Sequence, residues 1–155
     1  PLLRAALSWN FVLATAICAS LLAQLIKVLL NLFIFHRFIA ERMWGAGGMP
    51  SSHSATVCAM VVATGRYCGV NSPLFAIAAV LSIIVMYDAM GVRYETGEQA
   101  KVLNRMFTEW MDQGFEQFQL PHGKKLKEMV GHTPLQVVAG FLVGLVVGLL
   151  YPLGL

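Results

Sequence analysis

Charge is scarce in this chain. Eleven Lys and Arg and eight Asp and Glu make up 12% of its 155 residues, against 57% hydrophobic residues and a mean hydropathy of +0.68. A soluble domain carries roughly 25% charged residues, so the composition excludes an ordinary water-soluble globule and implies an integral membrane protein. Cysteine is scarce too. Cys18, Cys58 and Cys68 are odd in number, lie in or beside apolar runs and lack metal-ligand spacing, which argues against a disulfide framework or a thiolate metal site and predicts small buried thiols. The net charge of +3 and pI near 9.0 do not mark a nucleic-acid binder, because no dense basic stripe with interleaved aromatics is present. There is no internal repeat and no low-complexity tract, and the length suits one domain. Residues 1–155 therefore read as a single membrane-embedded domain, with any targeting sequence expected upstream of Pro1.

A hydrocarbon core about 30 Å thick takes roughly 20 apolar residues as helix, and four segments approach that. They are Asn10 to Phe35, Ser52 to about Tyr67, Pro73 to about Ala89, and Pro134 to Leu155. The last carries Gly140, Gly144 and Gly148 at a spacing that lets another helix approach closely. Between the third and fourth, Val102, Leu103, Met106, Phe107, Trp110 and Met111 recur with helical period. They predict an amphipathic helix from about Gly97 to Gln113, on the membrane surface or over the mouth of the bundle. Phe115 to Lys127, punctuated by Pro121 and Gly123, reads as an irregular loop. The expected fold is all-α, an integral membrane bundle of about four transmembrane helices plus one amphipathic surface helix. If all four segments cross, eight cations (Arg37, Arg42, Arg93, Lys101, Arg105, Lys124, Lys125 and Lys127) share one face, and only Arg4 and Arg66 the other. The positive-inside rule then puts the crowded face on the cytoplasmic, matrix or stromal side of a bacterial plasma membrane or an organellar inner or thylakoid membrane.

That same face collects the polar residues of the spans. His53 opens the second span and His132 precedes the fourth. Asp88 and Arg93 flank the exit of the third, and Lys27 lies near the exit of the first. Ionisable groups at membrane depth are costly and usually face a polar interior. In GGMPSSHSA (47–55) the glycines free the backbone, Pro50 fixes an entry angle, and Ser51 or Ser52 caps the following helix. A helix start offers unpaired N–H groups to a phosphate-like anion. GHTPLQV (131–137) repeats the arrangement with Thr133 as N-cap, Pro134 at N1 and Gln136 at N3. Structural roles also account for several of these residues: Gln136 as half of a capping box, Asp88 and Arg93 as an ion pair across Gly91, Lys27 as a snorkelling cation, and Lys124, Lys125 and Lys127 as loop charge.

Pro50-Ser51-Ser52-His53 and Gly131-His132-Thr133-Pro134, with Asp88-Ala89-Met90-Gly91-Val92-Arg93 and Gly97-Glu98-Gln99-Ala100 between them, resemble the divergent branch of the phosphatidic acid phosphatase type 2 and vanadium haloperoxidase superfamily. The likeness runs from about Gln24 to the end of the fourth span. In the wider superfamily the motifs are K-x6-R-P, P-S-G-H and S-R-x5-H-x3-D. The resemblance implies that His132 is the nucleophile and that His53 is the acid that frees the alcohol and later the base that activates water. It further implies that Ser51, Ser52 and neighbouring N–H groups cradle the phosphate, and that Lys27 and Arg93, with Lys127, supply positive charge. Asp88, Gln136 and Glu98 are supporting residues on this reading. The chain departs from the motifs in four places. Leu126 replaces the arginine six residues before His132, with Lys125 and Lys127 on either side of it. Gln136 replaces the acid, Ser52 replaces the glycine, and Arg37 lies ten residues from Lys27.

The expected function is metal-independent hydrolysis of a lipid or isoprenoid phosphate through a phosphohistidine. No cofactor is expected, although vanadate or phosphate would fit the same site. The expected partners are membrane lipid and the lipid phosphate substrate, with no nucleic acid. The competing expectation is a catalytically weak member serving as a structural or lipid-binding subunit of a larger membrane complex, or as a homo-oligomer.

Overall fold

The computed structural model describes residues 10–35, 48–113, 125–128 and 130–152. Its elements are α1 (Phe11–Phe35), α2 (Ser52–Cys68), α3 (Pro73–Met90), α4 (Val92–Asp112) and α5 (Pro134–Leu150), and the described residues form no strand. The helix starts follow local chemistry. Asn10 Oδ1 accepts from Leu13 N at 3.1 Å and Ser72 Oγ from Leu74 N at 3.1 Å. Pro73 and Pro134 stand where a missing N–H costs nothing. The expected boundaries hold within two residues for α1, α2 and α3. On the last span the helix ends at Leu150, and residues 153–155 lie outside the described set.

One boundary differs. The amphipathic helix begins at Val92, five residues before the expected Gly97, because the chain bends at Gly91 (φ −99°, ψ −95°) and returns at once to helix. The stretch Val92–Thr96 contains no breaker, and Thr96 Oγ1 donates back to Val92 O at 2.7 Å.

The bundle is small inside and large outside. Its centre is Ala19, Ala23, Ala55, Ala59 and Val147, whereas Leu21, Leu25, Ile77, Ile83, Leu142 and Leu150 are exposed. In water such an apolar exterior would be an aggregation surface; against lipid it is the matching solvent, and close backbone approach replaces hydrophobic burial as the packing principle. Two stretches, Phe11–Phe33 and a window within Pro73–Asp112, are long and apolar enough to cross a bilayer. The thiols are free as expected, but only Cys58 is buried. Cys18 is half-buried and Cys68 exposed, since Cys68 ends α2 beyond the packed core.

α2 and α5 approach backbone to backbone. A Cβ on Gly140 would strike Ser51 O, one on Gly144 would strike Ala55 O and Cys58 Cβ, and one on Gly148 would lie 2.7 Å from Val62 Cβ. The glycine line is therefore consumed inside the chain, which removes it as a reason to expect a partner helix from another subunit. At the far end Arg66 Nη1 donates to Gly148 O and Tyr151 O, both at 2.7 Å, while its guanidinium lies 5.6 Å from the Phe11 ring centroid. The beginning of α1 and the ends of α2 and α5 thus meet at one pole. The end of α1 and the starts of α2 and α5 accordingly lie towards the other.

Candidate functional site

The two histidines meet at that second pole. The His53 and His132 ring centroids are 6.3 Å apart with planes inclined by 59°. His53 is exposed in the first turn of α2, whereas His132 is only 3% exposed. The pair thus has one imidazole open to the surroundings and one held beneath it.

His132 is fixed from three directions. Its N–H donates to Ala89 O at the end of α3, at 3.0 Å. Gly131, just before it, lies so close to the Arg93–Tyr94 backbone that any Cβ would collide there. The third hold is Gln136. Its Oε1 accepts from Thr133 N at 3.2 Å and lies 3.1 Å from His132 Nδ1. A backbone N–H can only donate, so the atom facing it is the amide oxygen, and the imidazole nitrogen sharing that oxygen must carry the proton. His132 is therefore the Nδ1–H tautomer, with a free lone pair on Nε2. Gln136 both caps α5 and orients His132, where sequence reasoning had set these roles against each other.

The first motif is built as tightly. Ser51 is the N-cap of α2 (φ −69°, ψ 115°) and its Oγ accepts from Ser54 N at 3.3 Å and Ser54 Oγ at 3.0 Å. Ser51 N donates to Gln136 O at 3.0 Å, tying the two helix starts together through backbone. Ser52 is buried in the first turn. Gly48 has φ +85°, a conformation that favours glycine, and its missing side chain leaves room for the stem of Lys27, whose Cδ would lie 3.4 Å from a Cβ there. Lys27 is 2% exposed and has no hydrogen-bond or ion-pair partner among the described residues. It does not snorkel. It ends the buried stripe Thr15, Ala19, Ala23, Lys27 of α1.

Electrostatics places the remaining groups. Burial holds the His132 imidazole below its usual pKa. The bond to Gln136 works against that shift, and the charges of Lys27, His53 and Arg93 add to it. These are the cations His132 feels. Arg93 is exposed and its Nε donates to Asp88 Oδ2 at 2.6 Å, so the predicted ion pair across Gly91 forms. Glu98 pairs instead with Lys101 at 2.6 Å. Lys125 and Lys127 are exposed and flank Leu126, which Asn104 holds against α4. No described contact brings Glu98 or Lys127 to the histidines. Arg37, Arg42 and Lys124 lie outside the described residues.

Asn104 is what sequence reasoning missed. It is 4% exposed; its Nδ2 donates to Leu126 O and Glu128 Oε1, and its Oδ1 accepts from Leu126 N, all within 2.9 Å. Gly97 lies against the Glu128 carbonyl in the same seam. The signal was available in the spacing Gly97, Ala100, Asn104: a small-residue face carrying one amide on a helix whose other face is apolar.

A helical bundle with a small-residue core, an apolar exterior and two histidines paired at one pole defines a class of membrane protein. Residues 8–147 match the Divergent PAP2 family, and the chain belongs to it. It is 37% identical over 146 residues to the uncharacterized membrane protein YuiD of Bacillus subtilis (strain 168), covering 90% of this chain and 92% of that protein. No solved structure matches it. The chain is thus a membrane protein of a phosphatase-related family.

Proposed function

We propose that the protein hydrolyses a lipid or isoprenoid phosphate at the histidine pair, without a cofactor. The observation that carries this reading is the contact of His132 Nδ1 with Gln136 Oε1 at 3.1 Å, which leaves Nε2 unprotonated on a ring whose centroid lies 6.3 Å from that of His53. A nucleophile and a leaving-group acid on opposite sides of phosphorus stand about twice the near-attack distance apart, roughly 6–7 Å, and the ring separation of 6.3 Å is of that order. His132 Nε2 attacks phosphorus while the ester P–O bond breaks, and protonated His53 gives its proton to the departing alkoxide. Neutral His53 then takes a proton from water, and the resulting hydroxide attacks the phosphohistidine. The P–N bond breaks, leaving inorganic phosphate and free Nε2. Lys27 and Arg93 stabilise the charge on the phosphoryl oxygens, and Ser51, Ser52 and the N–H groups of the α2 start position them. The exposed His53 and the apolar exterior suit a substrate whose head group enters from the interface while its tail stays in lipid.

The neutral Gln136 and the engagement of Arg93 by Asp88 favour a second reading, a lipid-binding subunit without turnover. Phosphate release from lipid phosphates by purified protein separates the two: the first reading expects release that His132→Ala abolishes. Equal background rates in both proteins would leave only the second.

A further inference from the structure

A second polar pocket lies outside the histidine pair. It has a volume of about 290 Å³ and is lined by Lys101, Asn104, Arg105, Thr108, Lys125 and Glu128. Its floor is rigid, because Asn104 has its amide filled by the Leu126 backbone and Glu128 Oε1, and Thr108 Oγ1 donates to Asn104 O at 2.8 Å. Its rim is cationic. Lys101 is paired with Glu98, but Arg105 and Lys125 have no ion-pair partner among the described residues, and the only carboxylate in the lining, Glu128, already accepts from Asn104. The adjoining surface of α4 exposes Val102, Leu103 and Met106. A helix with one apolar exposed face and a cationic flank settles in the head-group layer, with its cations at the level of lipid phosphates.

We propose that this pocket is a second anion site, which takes a phosphate-bearing head group through Arg105 and Lys125 and anchors α4 at the interface independently of the histidine pair. The rigid polar floor distinguishes it from a loose patch of surface lysines, and the excess of cations selects a phosphate monoester over a choline head group.

The test is retention of phosphatidic acid by the purified full chain, read by native mass spectrometry, with soluble glycerol phosphate as competitor. Two interfacial cations together are worth about 20- to 30-fold in affinity, so Arg105→Gln with Lys125→Gln should lose that factor, and Arg105→Lys with Lys125→Arg should keep most of it. Arg66→Met, which removes a cation at the opposite pole, should leave retention unchanged. Displacement by glycerol phosphate at equal concentration would assign the site to free phosphoesters; resistance would assign it to the lipid. Unchanged retention in the double Gln variant, or an equal loss in Arg66→Met, would overturn the proposal.

Discussion

Removing the Gln136 carbonyl tests the site at its most informative atom. Gln136→Leu keeps the side-chain bulk but leaves two donors unserved. Thr133 is exposed, so water can replace the lost cap, at about 1 kcal/mol. His132 is 3% exposed, and an orphaned ring N–H there costs about 1–3 kcal/mol. The variant should therefore melt lower by an amount equivalent to roughly 2–4 kcal/mol. Protonation changes as well. With no acceptor at Nδ1 the imidazole loses a tautomer bias of about 1–2 kcal/mol, so the fraction with Nε2 free falls to roughly one half and turnover drops about twofold. Gln136→Glu should keep both hydrogen bonds and add a charge that raises the His132 pKa. Nitrogen-15 shifts of labelled histidine report the tautomer directly, and phosphate release reports the consequence. A folded Gln136→Leu protein with full turnover and an unchanged Nδ1–H signal would refute the argument that this amide sets the chemistry.

Four further outcomes are expected. His132 is held below its usual pKa by burial, so the unfolded chain binds its proton first as pH falls. Its stabilising contribution is complete above about pH 6.5 and is lost as pH drops through the lower folded value, which melting curves of wild type and His132→Gln should show as a smaller acid-side loss in the variant. Gly144→Leu forces side-chain atoms into Ala55 O and Cys58 Cβ and should cost about 1–3 kcal/mol or more in detergent unfolding. Gly69→Ala, with no neighbour within 4 Å but φ +83° and ψ 151°, should cost backbone strain of about 1–3 kcal/mol. Arg66→Met removes two charge-assisted bonds to the α5 terminus and should lower stability by about 2–4 kcal/mol, with no change in the histidine tautomer at the opposite pole.

The elements most legible in the sequence were those fixed by local rules. Asn10, Ser51, Ser72 and Thr133 stand before apolar runs, and the helices begin where they stand. The proximity of His53 and His132 was also readable, because the four expected crossings put both residues at one end of the bundle, where their ring centroids lie 6.3 Å apart. Contacts made across the chain by polar atoms with no periodic signature were not readable. Asn104 holding Leu126, and Arg66 closing the end of α5, depend on which faces turn inward, and hydropathy is blind to that when the core is alanine and glycine. Side-chain pairing was hidden for the same reason: Glu98 pairs with Lys101 one turn on, and Lys127 is exposed beside the Leu126 that Asn104 holds.

The small-residue core also explains how the two imidazoles acquire a defined separation. In a bundle packed by large side chains, each helix can slide by adjusting rotamers. Where Gly140 lies against the Ser51 carbonyl and Gly144 against that of Ala55, backbone meets backbone and no soft side chain takes up displacement. Ser51 N bonded to Gln136 O locks the same junction along its axis. His53 is two residues from Ser51, and His132 is bonded through Gln136, so both imidazoles hang from one rigid joint. The glycines at the centre of α5 and the histidines at its pole are thus parts of one device, and the site inherits its geometry from a backbone-to-backbone helix contact.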